Sequence, residues 1–254
     1  MTLNPLIYPA ANLICAIAAF AMTDRFVGEA AAVPVVWVAV ALALSIGALQ
    51  FVLARRAKTR LLYQLLSSSS AGISLIFFLM AMFCPIFLIE ELSAARKLAV
   101  AGGGLALMAA NAVYGIRQVR TAWAQSGDGS FDKHYNATTN QLDWDMAVRP
   151  LGIRHDLYVP GLPEAAQPLL AVALLVFMLV GAGITDIRPD AGIVIWAVPM
   201  FAISAFFVQV LAKQAVLIRR LVTFETRIGR PVAHQPKLGM YRRARKTKRK
   251  TRRK

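Results

Sequence analysis

Acidic and imidazole side chains are concentrated in one polar stretch, residues 117–167, of an otherwise apolar chain. Such groups act as general bases or metal ligands when they converge on one point. The candidates are Asp128, Asp132, His134, Asp143, Asp145, His155 and Asp156. His155 followed by Asp156 has the residue types of a base and its orienting acid. No spacing matches a zinc or calcium motif, so we expect solvated acids paired with nearby arginines, and no catalytic group, metal or other cofactor.

Basic side chains dominate the end of the chain, where ten of the last 13 residues are Lys or Arg. They are Arg242, Arg243, Arg245, Lys246, Lys248, Arg249, Lys250, Arg252, Arg253 and Lys254. Dense positive charge without aromatic residues attracts nucleic acid independently of its sequence through counterion release. It also attracts anionic lipid headgroups, at about 1 kcal/mol per residue. We therefore expect a disordered tail that contacts a polyanion, which is anionic lipid, nucleic acid or a ribosome, or else an acidic protein.

Six apolar stretches of about 18–22 residues each precede and separate these polar segments. They are residues 3–23, 33–53, 71–89, 98–116, 168–185 and 191–212. A hydrocarbon core about 30 Å thick requires roughly 20 residues of helix, so each stretch predicts a membrane span. The composition agrees, since 57% of the residues are hydrophobic and only 17% are charged, which excludes a typical soluble enzyme. The predicted fold class is an all-α membrane protein.

The distribution of Lys and Arg predicts the orientation of the spans. The connection after span two, residues 117–167 and the segment after span six together hold 25 of the 29 basic residues. Because positively charged loops stay in the cytoplasm, both termini are predicted to be cytoplasmic. This bias and the chain length are typical of a bacterial inner membrane protein.

The sequence divides into five segments. They are four spans in residues 1–116, a cytoplasmic loop or subdomain in 117–167, spans five and six in 168–212, an amphipathic cytoplasmic or interfacial helix in 213–230, and the basic tail in 231–254. Leucines in residues 61–66 share one helical face, which predicts a continuation of span two, and Ser67–Ser70 predict a break after it. Gly229 and Pro231 predict the end of the amphipathic helix.

Four carboxamide side chains lie within the predicted spans. They are Asn12, Gln50, Asn111 and Gln209. The last three lie about three to five residues inside the cytoplasmic ends of their spans, at a common depth of roughly 5–8 Å. Carboxamides at such a depth form hydrogen bonds between packed helices, worth about 0.6 kcal/mol each, or line a polar pore.

Small residues at Gly102, Ala106 and Ala110 recur every four positions in span four. This pattern permits two helices to approach closely. It predicts a helix contact, either within the chain or with another subunit in a homo-oligomer or a larger complex.

The spans carry no charged side chain, which disfavours proton-coupled carriers, pumps and voltage sensors. Our leading hypothesis is a non-catalytic membrane subunit that anchors or assembles a larger complex of the secretion, DNA-transfer, defence or insertion type. It would contact the bilayer, other membrane subunits and a polyanion. The alternatives are an oligomeric channel or small-solute transporter, and a lipid-modifying enzyme that uses the acids and histidines of residues 117–167.

Overall fold

The computed structural model describes residues 7–56, 60–90, 92–126, 130–153, 156–185 and 187–234. Its helices are α1 (Ile7–Val27), α2 (Glu29–Arg56), α3 (Leu61–Phe83), α4 (Ala94–Ser126), α5 (Ser130–His134), α6 (Trp144–Val148), α7 (Gln167–Ile184) and α8 (Pro189–Ile228). Within these ranges, six helices are long and apolar enough to cross a membrane, all except the short α5 and α6. Each corresponds to one predicted span, which confirms the all-α class and agrees with an integral, multi-pass membrane protein.

The outward-facing side chains of the long helices are apolar. Ile17, Trp37, Leu105 and Leu169 are each more than half exposed. Exposed apolar side chains on every long helix would be unfavourable in water, whereas lipid tails solvate them well. The surface of the bundle therefore suits contact with a lipid bilayer.

Helices α4 and α8 run parallel to each other at the centre of the bundle, and α8 also packs against α3 and α7. Gly104 lies against Phe201, and Gly115 lies against Gln209 further along both helices. A Cβ atom on Gly104 would lie 2.2 Å from Cδ1 of Phe201, and one on Gly115 would lie 2.9 Å from the Gln209 carbonyl oxygen. Glycine at both positions lets the two backbones approach closely. Helix α1 packs against α2 and α3 on the other side of the bundle.

Helices α4 and α8 are longer than a bilayer requires. At 1.5 Å per residue, the 33 residues of α4 extend about 50 Å, and the 40 residues of α8 extend about 60 Å. Their C-terminal ends leave the bundle side by side. Three short strands pack near them: β1 (Tyr135–Asn136), antiparallel to β2 (Gln141–Leu142), and β3 (Ala233–His234), parallel to β2.

These helix ends and the segments packed on them form a folded unit that we call the basal subdomain. It comprises residues 60–66, 117–126, 130–153 and 214–234. Its buried core joins Trp123 of α4, Phe131 of α5, Leu142 of β2, and Leu221 and Phe224 of α8. Because burial of each large apolar side chain contributes about 1.5–3 kcal/mol, this core holds residues 130–153 against both helices.

Two sequence-based expectations about local structure are wrong. Residues 61–66 begin α3 rather than continue α2, and Ser67–Ser70 lie inside α3 rather than breaking it. The hydroxyl groups of Ser68 and Ser69 both donate to the Leu65 carbonyl, and Ser70 donates to the Ser67 carbonyl. Because these hydroxyl groups are satisfied inside the helix itself, four serines are compatible with a membrane helix.

The amphipathic segment after span six runs directly out of that span, since residues 189–228 form one continuous helix. The helix ends where Gly229 and Pro231 predicted. Gly229 has a φ of 71°, and its N–H donates to the carbonyls of Glu225 and Thr226. Glycine adopts this left-handed conformation at little cost and is common immediately after a helix.

Candidate functional site

Residues 156–158 form a non-helical strap between the basal subdomain and α7. Its three consecutive carbonyl groups accept hydrogen bonds from carboxamides on three different helices. Asn111 of α4 donates to the Tyr158 carbonyl at 2.7 Å and accepts from the Tyr158 N–H at 2.9 Å. Gln209 of α8 donates to Asp156 O at 2.8 Å, and Gln167 of α7 donates to Leu157 O at 2.6 Å. The strap therefore ties α4, α7 and α8 together.

The position of the strap explains why carboxamides occur there. Asn111 and Gln209 are completely buried, and Gln209 also donates to Asn111 Oδ1 at 3.2 Å. Backbone that is not helical at membrane depth must find its hydrogen-bond partners within the protein. An Asn or Gln side chain has both a donor and an acceptor, so Asn111 pairs with Tyr158 as another peptide group would. The Tyr114 ring stacks on Tyr158 at 4.4 Å between centroids.

A buried lysine adjoins the strap. Lys213 follows Gln209 by one helical turn and is 2% exposed. Its ammonium donates to Gln209 Oε1 at 2.8 Å, and the Asp156 carboxylate attracts it electrostatically. A buried charge requires such partners. Sequence reasoning assigned no role to Lys213, although it is the first charged residue after the last apolar stretch.

The other two carboxamides form a second cluster, between α1, α2 and α3. Asn12 Nδ2 donates to Gln50 Oε1 at 3.0 Å. Gln50 Nε2 donates to Ser70 O at 2.8 Å and to Ser74 Oγ at 2.7 Å. Asn12 and Gln50 are completely buried, so their described contacts are hydrogen bonds between packed helices.

The small-residue stripe of α4 faces away from its neighbours in the chain. Gly102 and Ala106 are exposed and Ala110 is half-buried, and a Cβ on Gly102 would have no atom within 4 Å. The contact with α8 is instead made by Gly104 and Gly115. A contact between the stripe and another subunit stays a prediction.

The root of the basic tail, residues 230–234, is fixed in the basal subdomain. Glu225, which is 4% exposed, accepts hydrogen bonds from the Val232 N–H at 2.8 Å and from Arg60 Nε at 3.2 Å. A second bond joins Arg60 Nη2 to the same carboxylate, and these bonds raise the pKa of Arg60 above its ordinary value. The Val232 side chain is completely buried, and its carbonyl accepts from the Leu61 N–H.

Asn140 fixes the root from the opposite side. Its side chain donates to the Pro231 carbonyl at 2.7 Å, and its own carbonyl accepts from the Ala233 N–H at 3.1 Å. Asn140 has a φ of 52°, a left-handed conformation that Asn adopts more readily than most residues. The path of the chain as it leaves α8 is therefore set by specific hydrogen bonds up to β3.

The acids and histidines of residues 117–167 do not converge in the part of the chain that the structure describes. Asp132 pairs with Arg227 at 2.6 Å, and Asp143 caps α6 by accepting from the Met146 N–H at 3.1 Å. His134 is half-buried at the end of α5, and Asp145 is exposed in α6. Asp128 and His155 lie outside the described residues, among which no group of three His, Cys, Asp or Glu side chains could hold a metal ion.

The ten basic residues from Arg242 to Lys254 also lie outside the described residues. The structure therefore supplies the point from which the tail departs and the charge of the surface around it.

Comparison with protein-family models, curated proteins and solved structures finds no match for this chain.

Proposed function

We propose that this chain is a non-catalytic integral membrane subunit that anchors or assembles a larger membrane complex and contacts a polyanion through its C-terminal tail. The observation that carries the proposal is the fixed root of that tail. A tail that served only to orient the last span would need no folded support. Here Glu225, Asn140 and β2 hold residues 230–234 in place.

The surface around the root supports the same proposal. Several exposed arginines lie on the basal subdomain or at the adjoining helix ends. They are Arg55, Arg56, Arg117, Arg120, Arg149, Arg219 and Arg220. Clustered positive charge raises the local concentration of an anionic partner and speeds its association. The basal subdomain therefore adds to the attraction that the tail exerts.

The hydrogen bonding of the carboxamides favours a structural role over a pore. The side-chain N–H groups of Asn12, Gln50, Asn111 and Gln209 donate to other protein groups. A pore lining would present such groups to water or solute. This geometry supports a subunit with a well-packed bundle, whose working surfaces are the basal subdomain and the tail.

The test is purification in mild detergent of the full chain beside a version that ends after Gly239. Bound material would be identified by mass, by ultraviolet absorbance and by sensitivity to nuclease. We expect the full chain to retain a polyanionic partner whose binding weakens as salt rises, and the shortened chain to enter the membrane but lose that partner.

The matched control keeps the length of the tail and replaces its ten basic residues from Arg242 to Lys254 with Gln. It should behave like the shortened chain. If either variant retains the same partner at the same salt tolerance, the tail does not bind the polyanion and the proposal is wrong.

A further inference from the structure

We propose that Arg220, Arg227 and Arg230 form a second, folded binding site for the phosphodiester backbone of a nucleic acid. We call these three residues the arginine row. The inference deepens the proposed function and rests on it, since it names the class of polyanion and adds a contact outside the tail.

Each arginine of the row lies over an aromatic ring of the basal subdomain. The guanidinium carbon of Arg220 is 5.4 Å from the Trp123 ring centroid, and that of Arg227 is 5.1 Å from Phe224. The guanidinium carbon of Arg230 is 5.8 Å from the Tyr135 centroid. The attraction between a cation and an aromatic ring is worth about 0.5–1 kcal/mol at exposed sites.

These contacts hold the guanidinium groups in place before a ligand arrives. Arg227 also bonds to Asp132, and Arg230 Nη2 donates to the Ala137 carbonyl at 2.9 Å. An arginine that is already ordered loses less side-chain entropy on binding. A guanidinium group has five N–H donors in one plane, so one bond to the protein leaves others for phosphate oxygens.

The spacing within the row suits a chain of phosphates. Arg220 and Arg227 are seven residues apart, two turns of α8, and therefore lie on one face about 10 Å apart along the axis. A single-stranded polynucleotide carries one phosphate per nucleotide along a flexible backbone, so two guanidinium groups about 10 Å apart along α8 can contact phosphates of the same strand. Arg230 extends the row to the root of the tail.

The distance from the bilayer favours nucleic acid over lipid. Span six ends at Ala212, so Arg227 lies 15 residues beyond it, about 22 Å along the helix. Headgroups extend only about 5–8 Å beyond the hydrocarbon core on each side. If α8 leaves the bilayer along the membrane normal, Arg227 lies beyond the lipid phosphates of the same membrane, so a phosphate that contacts this part of the row belongs to a partner in solution.

The experiment uses the chain that ends after Gly239, reconstituted in nanodiscs of neutral lipid, so that the tail does not contribute. The probe is a fluorescein-labelled single-stranded RNA of 20 nucleotides, and anisotropy is measured at several salt concentrations. For this protein we expect saturable binding, displaced by unlabelled DNA or RNA. The plot of log K against log salt has a negative slope. In the triple variant Arg220→Gln, Arg227→Gln, Arg230→Gln the magnitude of this slope should decrease by about 2, at about 0.7 per lost phosphate contact.

The matched control removes three charges of the same surface that lie outside the row, with Arg55→Gln, Arg117→Gln and Arg149→Gln. These arginines contribute long-range attraction rather than a fixed phosphate contact, so their loss should change the magnitude of the slope by less than half as much. If both variants reduce binding equally, net charge alone attracts the RNA and the arginine row is not a site. If the triple variant unfolds, the single changes Arg220→Gln and Arg230→Gln give the same test. Each should decrease the magnitude of the slope by about 0.7.

Two outcomes separate this inference from the proposed function. If the full chain binds the RNA and the shortened chain does not, the row is wrong and the tail proposal stands. If neither chain binds the RNA, and the protein retains anionic lipid in nanodiscs but the triple Gln variant of the row does not, then the row binds lipid and the inference is overturned.

Discussion

Replacement of Glu225 by Gln should release the root of the tail while the membrane bundle stays folded. The wild-type carboxylate accepts two bonds from Arg60 and one from the Val232 N–H. Loss of one partner of a fully buried ion pair costs about 3–5 kcal/mol. The Arg60 side chain is 29% exposed, and Gln can still accept one hydrogen bond. We therefore expect the loss of stability at the root to be at the lower limit, about 3 kcal/mol.

The assay is hydrogen exchange, read at the amides of Leu61, Val232 and Ala233, which are bonded to or within the root. At 1.36 kcal/mol per factor of ten, 3 kcal/mol corresponds to exchange about 150-fold faster. The control is Asp132→Asn, which breaks a surface pair whose side chains are 54% and 51% exposed and should cost less than about 1 kcal/mol. Exchange within threefold of the wild-type rate in Glu225→Gln, or equal acceleration in both variants, would refute the claim that Glu225 fixes the root.

Two further substitutions test the bundle. Asn111→Leu leaves the Tyr158 N–H and carbonyl without their hydrogen-bond partner. A loss of about 2 kcal/mol of local stability should accelerate hydrogen exchange at Tyr158 by about 30-fold or more. The control Gln50→Leu should leave exchange at that amide unchanged. Gly104→Ala places a Cβ 2.2 Å from Phe201 Cδ1 and should lower the free energy of unfolding by about 1–3 kcal/mol, measured by thermal unfolding in detergent. Gly102→Ala meets no atom within 4 Å and should be neutral or stabilising; the reverse order of these two variants would contradict the α4–α8 packing.

The number of helices long and apolar enough to cross a membrane could be predicted, because bilayer thickness requires about 20 apolar residues of each one. The helix end at Gly229 could be predicted from the conformational freedom of that residue. The carboxamides could be singled out, since polar side chains in an apolar span need partners. Their partners could not, because the Asn111 contact with Tyr158 joins residues 47 apart in sequence. The ion pair of Arg60 with Glu225 could not be predicted for the same reason, since these residues are 165 apart.

The helix-contact face of α4 shows where pattern alone is ambiguous. Three consecutive glycines, 102–104, begin small-residue stripes on several faces at once. The face that packs follows Gly104, Met108, Asn111 and Gly115, a spacing of four, three and four residues that also indicates a helix interface. Asn111 on that face was the distinguishing signal, since a polar side chain turns toward protein rather than lipid.

Whether the basic tail binds a polyanion can be measured by cross-linking of the tail in native membranes. A photoreactive amino acid at Thr247 leaves all ten basic residues from Arg242 to Lys254 unchanged. We expect cross-links to a polyanionic partner that disappear when those ten residues are replaced by Gln. Cross-links of equal yield from the basic and the Gln-substituted tails would contradict it, since the tail would then contact its neighbours without recognising their charge.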